Sequence, residues 1–84
     1  MVSVCLHYWA GAKAAAGVEL ETVEASTVAE ALAIAERRRN DSRFRLILNA
    51  SSILVENRVV RGGELSQLLT GPVEVEVLPP FAGG

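Results

Sequence analysis

Val75-Glu76-Val77-Leu78-Pro79-Pro80-Phe81-Ala82-Gly83-Gly84 closes the 84-residue sequence as a strand that runs into a tail. Up to Leu78, apolar and acidic residues alternate with the period of a half-buried strand. Pro79 and Pro80 then remove two backbone donors and impose an extended path, so the sheet must stop there. Six residues from Pro79 to Gly84 reach about 20 Å when extended. That is enough to carry a Gly84 carboxylate outside a small domain and into a partner. Gly83 and Gly84 have no Cβ, so this end can pass a narrow tunnel and leave its last carbonyl carbon open to attack. The expectation is a domain over residues 1–78 and an extended tail over 79–84 that delivers Gly84. An ordinary frayed end is the alternative.

Working back from the tail, Gly71-Pro72 breaks the chain before this last strand, and Leu65, Leu68 and Leu69 are spaced as one apolar helical turn after a loop at Arg61-Gly62-Gly63-Glu64. Ser52-Ile53-Leu54-Val55 and Arg58-Val59-Val60 flank Glu56-Asn57 as a hairpin, since Asn tolerates the left-handed backbone of a two-residue turn. Residues 41–48 place Phe44, Ile47 and Leu48 at helical spacing, which favours a short helix over a strand. Thr27-Val28-Ala29-Glu30 has the spacing of a capping box, and Val28, Ala31, Leu32 and Ala35 form the stripe of a helix laid across a sheet. Arg37-Arg38-Arg39 fall in its last turn, where cations complement the macrodipole, and Asn40 ends it. With Arg43 and Arg45 they read as a solvated helix end or as a docking patch.

Nearer the start, residues 1–9 predict a strand with Val2, Val4, Leu6 and Tyr8 on one face and Ser3, Cys5, His7 and Trp9 on the other. Ala10 to Gly17 is read as a connection, because glycines bracket its alanines. Residues 18–23 predict a second strand that forms a hairpin with the first, Val18 and Leu20 sharing a face and Glu19 and Glu21 pointing to water. Strands gathered around one packed helix make an α+β layer and not a doubly wound sheet.

Eighty-four residues make one domain with a small core and no room for a walled catalytic cleft. A formal net charge of −2 does not point to nucleic acid. No basic and apolar leader and no long apolar run is present, so a cytoplasmic protein without a membrane span is expected. Cys5 is the single cysteine, which excludes an internal disulfide and a cysteine-based metal cage. His7 and Cys5 share a strand face at period two, where a packed or half-exposed histidine is the ordinary reading. With one histidine and no ligand cluster, the chain is expected to bind no metal and to catalyse nothing alone. Its chemically distinctive group is the Gly84 carboxylate, which needs a separate adenylating enzyme to become an electrophile.

The order of elements, Tyr8-Trp9-Ala10 with Ala16-Gly17, Thr27-Val28-Ala29-Glu30, and the Pro-Pro-x-x-Gly-Gly ending together resemble the small subunit of molybdopterin synthase. That MoaD-like family lies within the ubiquitin-like sulfur-carrier superfamily, which also contains the thiamine sulfur carrier. The family usually carries Asn-Gly at the hairpin and an acidic Gly-Asp turn before the last strand; here those places read Asn57-Arg58 and Thr70-Gly71-Pro72. The resemblance implies a ubiquitin-like β-grasp fold, with a mixed sheet of four to five strands, the first and last strands parallel neighbours, and one main helix across a face. It implies that an enzyme of the ubiquitin-activating type uses ATP to adenylate Gly84, and that a sulfurtransferase or cysteine desulfurase replaces AMP by sulfur. The thiocarboxylate would then enter the synthase large subunit and supply sulfur for the molybdopterin dithiolene, with no cofactor held permanently by this chain. Phe81, Pro80, Pro79, Leu78 and Trp9 would form the partner-binding patch around the tail, with Gly83 in the passage. A thiamine-type carrier, a protein modifier joined to lysines through Gly84, and a non-covalent interaction module share the same fold.

Overall fold

A computed structural model describes residues 1–80, so Phe81, Ala82, Gly83 and Gly84 lie outside the described residues. Five strands, β1 (Val2–Tyr8), β2 (Leu20–Ala25), β3 (Ser52–Val55), β4 (Arg58–Val60) and β5 (Val73–Leu78), form one sheet in the order β2-β1-β5-β3-β4. β1 and β5 pair in parallel at its centre, and the other neighbours are antiparallel. Helices α1 (Ala10–Ala16), α2 (Val28–Arg39) and α3 (Ser42–Ala50) lie on one face. This is the mixed-sheet β-grasp expected from the sequence, with two further helices beside the main one.

Period-two alternation divides the sheet into a core face and an open face. Val4, Leu6 and Tyr8 of β1 and Val75 and Val77 of β5 are fully buried beneath the helices. Ser3, Cys5, His7, Glu74 and Glu76 therefore point the other way. The helix stripe behaves as its spacing predicts: Val28, Ala31 and Ala35 enter the core and Leu32 packs at its edge. Thr27 Oγ1 accepts from the Glu30 amide at 3.0 Å, while Glu30 reaches back to the amide of Ser26 at 2.6 Å, one residue earlier than the simplest capping box. Asn40 closes α2 in the left-handed region at φ 49°, its amide bonded to Glu36. Asp41 then accepts from the amides of Arg43 and Phe44 and starts α3. The hairpin turn is also as expected, with Glu56 and Asn57 at φ 49° and 68°.

Three local expectations are overturned. Ala10–Ala16 is a helix and not a connection. Its second residue, Gly11, comes so close to α3 that a Cβ there would stand 2.7 Å from Ile47 Cδ1, and Gly17 ends the helix at φ 81°. The second strand begins at Leu20, and its faces are reversed: Val23 and Ala25 are buried, whereas Leu20 is 56% exposed. Antiparallel pairing of Glu21 with Leu6 puts the Glu21 side chain on the helix side. There the Tyr8 hydroxyl donates to it at 2.6 Å, and Arg39 and Arg38 pair with it at 2.9 and 3.2 Å. Finally, the turn expected around Leu65–Leu69 is a 3₁₀ segment over Gly62–Ser66 that stops before Leu68, which stays exposed. Leu65 and Leu69 pack against the core, and the Leu69 amide bonds to Ser26 O.

Candidate functional site at the root of the tail

β5 delivers the chain to the tail, and β1 fixes where that happens. Tyr8 stands opposite Val77, and the Trp9 amide donates to Val77 O at 3.2 Å, so Trp9 is level with Leu78 where the strand ends. Leu78 is half-buried, Pro79 is buried and Pro80 is exposed. Pro79 thus anchors the tail to the body, and of the two prolines only Pro80 is free to touch a partner. Trp9 is 43% exposed, a large apolar surface beside that exit. The candidate patch therefore assembles Trp9, Leu78 and Pro80; the remaining site residues expected from the sequence, Phe81, Gly83 and Gly84, lie outside the described residues.

Polar contacts hold the Trp9 ring in place. Its indole N–H donates to Glu76, and its ring stacks on His7 with centroids 4.2 Å apart and an interplanar angle of 29°. The two His7 nitrogens stand 3.5 Å from carboxylate oxygens, Nδ1 from Glu76 and Nε2 from Glu19, and Glu19 is also 3.5 Å from Lys13 Nζ. Sequence reasoning placed His7 and Cys5 on one strand face and favoured a packed or half-exposed histidine; the structure sets a partly buried His7 against Trp9 and the two glutamates, with Cys5 a partly buried free thiol. The strand alternation already put His7 and Glu76 on one face. The β1/β5 register brings them together, and that register was not legible in either strand alone.

Strand pairing aligns Leu20, His7, Glu76, Leu54 and Val59 in one row across the open face. The row is apolar at Leu20, Leu54 and Val59, with His7 and Glu76 between them. Among the described residues no group of three or more His, Cys, Asp or Glu is arranged to hold a metal ion. Among the described residues of the site, no nucleophile is set against a base and orienter.

On the helix side, burial alone would raise the Glu21 carboxyl; the Tyr8 hydroxyl and the Arg39 and Arg38 guanidiniums outweigh it and hold the group below the usual carboxylate range. Burial first, then the bond to Glu21, pushes the Tyr8 phenol well above its ordinary value, so Tyr8 is a neutral donor. Arg39 also donates to Ala16 O and Ala35 O and lies 4.7 Å from the Phe44 ring centroid. This network fastens α1 and α2 to β1 just beneath the tail root.

The architecture and its exit point define a ubiquitin-like β-grasp domain. Comparison with solved structures gives the fold particular neighbours. The chain is similar to molybdopterin converting factor subunit 1 from Pyrococcus furiosus, with a TM-score of 0.76 and 23% identity over 95% of this chain and 99% of that one. It is similar to small archaeal modifier protein 1 from Methanosarcina acetivorans, with a TM-score of 0.80 and 21% identity over 100% and 98% of the two chains. A complex of subunits 1 and 2 of molybdopterin-converting factor from Helicobacter pylori also matches, with a TM-score of 0.68 and 17% identity over 98% and 99%. At these identities the likeness establishes the shared fold. No family model matches the sequence, and no curated protein matches it.

Proposed function

We propose that this chain is a sulfur carrier, the small subunit of a molybdopterin synthase, and that its Gly84 carboxylate is adenylated, converted to a thiocarboxylate and inserted into a large subunit. The observation that carries this reading is the central parallel β1/β5 pair, whose last strand ends at Leu78, level with the exposed Trp9 and immediately before Pro79-Pro80 and the Gly-Gly sequence. In the proposed cycle, an adenylating enzyme uses ATP to make the Gly84 oxygen a leaving group. Sulfide then displaces AMP at the acyl carbon and gives the thiocarboxylate directly; where a donor persulfide attacks instead, a thiol cleaves the resulting acyl disulfide, leaving the sulfur on Gly84 and a disulfide on the donor. In the large subunit a precursor carbon takes the sulfur, and water returns the carboxylate. The chain's own residues present the tail and dock; acids and bases for sulfur transfer belong to the partner. The Helicobacter pylori neighbour, solved as a complex of two subunits, supports a large-subunit partner. No helix among the described residues is long and apolar enough to cross a membrane, and a cytoplasmic setting is part of the proposal.

A second reading is favoured by one observation: the likeness to a small archaeal modifier covers the whole chain with a TM-score of 0.80. On that reading Gly84 is joined to lysines of other proteins. The experiment that separates the two is incubation with an adenylating enzyme, ATP and a sulfur donor, followed by addition of a large subunit and the cyclic pyranopterin precursor. The carrier should gain the mass difference between sulfur and oxygen at Gly84 and yield molybdopterin, while the carboxylate form binds without converting. Support of thiazole formation instead would reassign the product. Recovery of Gly84 in isopeptide linkage to other proteins would establish the modifier.

A further inference from the structure

We infer that this chain stacks head to tail on a second copy of itself, the outer faces of α2 and α3 seated on the open face of the next copy's sheet. Charge is divided between the two sides of the domain. Residues 37–45 contain five of the eight lysines and arginines and one acidic residue, a local charge of +4. The whole chain has a net charge of −2, so the rest of it carries −6.

Helical phase decides where the arginines point. Arg39 and Arg38 turn back to Glu21. Arg37 lies two residues past the buried Ala35, about 200° round the helix, and so faces away from the sheet. Leu46 is two residues from both Phe44 and Leu48, which are buried, and it is 70% exposed on the far side of α3. Arg43 precedes it by one turn on that side. Arg37 and Arg43 are exposed, and neither makes an ion pair among the described residues. The helix side thus presents an apolar side chain beside cations that lack a counter-charge.

The open face of the sheet is its complement. Leu54 and Val59 are neighbours in the row across that face, and Val59 is 42% exposed. Two residues beyond Leu54 stands Glu56, and its amide is bonded to Glu74 O. Glu56, Glu74 and Glu76 line one hollow with Asn57 and Pro72. Among the described residues neither Glu56 nor Glu74 pairs with a cation, and like charges on neighbouring strands repel. A guanidinium from outside relieves that repulsion and can meet a carboxylate through two hydrogen bonds. The spacings agree. Two residues of strand span about 7 Å, and side chains one helical turn apart are separated by about 5 to 6 Å. Leu46 can therefore rest on Leu54 and Val59 while Arg43 reaches Glu56 and Glu74. Because the two faces lie on opposite sides of the domain, the contact is heterologous, and each copy keeps one face free for the next.

Sedimentation of the full-length chain tests this without any chemistry at Gly84. At about 10 mM salt, where the Debye length is about 30 Å, the mean mass should rise above that of the monomer as protein concentration approaches about 1 mM; at about 1 M salt, where that length is about 3 Å, association should weaken at least about tenfold. The emission of Trp9, the single tryptophan, should change in parallel, since Glu76 at the edge of the seat holds its ring. Arg37→Gln with Arg43→Gln disables the helix side, and Glu56→Gln with Glu74→Gln disables the sheet side. Each pair should weaken self-association at least about tenfold, and thermal melts should match wild type because all four side chains are exposed. Mixed one to one, the two double variants should form a dimer that grows no further, since one supplies the intact sheet face and the other the intact helix face. A wild type that stays monomeric at low salt, association untouched by one of the two pairs, or a mixture that stays monomeric would overturn the inference. None of these outcomes depends on whether Gly84 accepts sulfur, so the carrier reading stands or falls separately.

Discussion

The Tyr8 hydroxyl, on a central strand, donates to Glu21 at 2.6 Å, on the strand that edges the sheet, and Arg39 from α2 meets the same carboxylate at 2.9 Å. Glu21→Gln removes the charge that both arginines face and should cost about 1 to 3 kcal/mol at neutral pH, as for other buried charge-assisted contacts. Arg38, half-exposed, contributes little of that. Because the folded-state pKa of Glu21 lies below its unfolded value, its contribution is present above the unfolded value and is lost as pH falls through the folded one. Thermal melts of wild type and Glu21→Gln should converge on acidification below pH 4.5. A constant gap down to the acid limit would show that the ionised carboxylate is not the stabilising species.

Docking and folding should separate along the last strand. Phe81→Ala should weaken large-subunit binding by more than about 1 kcal/mol with little change in melting temperature. Val77→Ala, at a fully buried position, should instead cost roughly 1 to 3 kcal/mol of stability. Calorimetric titration and thermal melts together give both numbers; equal stability losses would place Phe81 inside the body. Trp9→Ala should lie between them, since its ring is exposed yet tied to His7 and Glu76.

Gly17 and Gly63 make a matched pair. Neither has an atom within 4 Å of a built Cβ, but Gly17 sits at φ 81°, where L side chains are strained. Gly17→Ala should destabilise by about 1 kcal/mol, while Gly63→Ala should stay within about 0.5 kcal/mol of wild type. Chemical denaturation resolves that difference, and equal effects would mean that α1 does not end in the left-handed turn.

Removing Gly84, or adding one residue after it, should abolish thiocarboxylate formation without lowering the melting temperature, because the sheet ends at Leu78 and the buried anchor at Pro79. Intact-mass measurement and a thermal melt check the two halves. A large loss of stability on truncation would locate structural contacts in the tail.

The sequence revealed most where one local signal sufficed. Thr27 and Glu30 cap α2, Asn40 ends it, Asp41-to-Leu48 spacing makes α3, and β5 alternates up to its prolines. It misled where distant residues decide. Glu19 and Glu21 look alike in a strand of alternating charge, and only Tyr8, Arg38 and Arg39 converging from other elements make Glu21 the inward one. Likewise the glycine in Ala10-Gly11-Ala12 reads as a breaker until Ile47 of α3 is seen to press against it. At the candidate site, the sequence put Trp9 at the end of the first strand and Leu78 at the end of the last, but the His7 contact with Glu76 depends on the pairing of strands separated by most of the chain, and that with Glu19 on the return of the chain toward β2.

The parallel register of β1 and β5 also has a mechanical meaning. A force applied to the tail pulls Leu78 upward while the far end of β1, at Val2, anchors the opposite pole of the same ladder. Such a load shears the inter-strand hydrogen bonds together and does not peel them one by one. A protein-threading machine that grips the tail therefore meets the central ladder of the domain first, with both flanking strands still in place, and resistance to its pull is governed by the rate of that rupture more than by equilibrium stability.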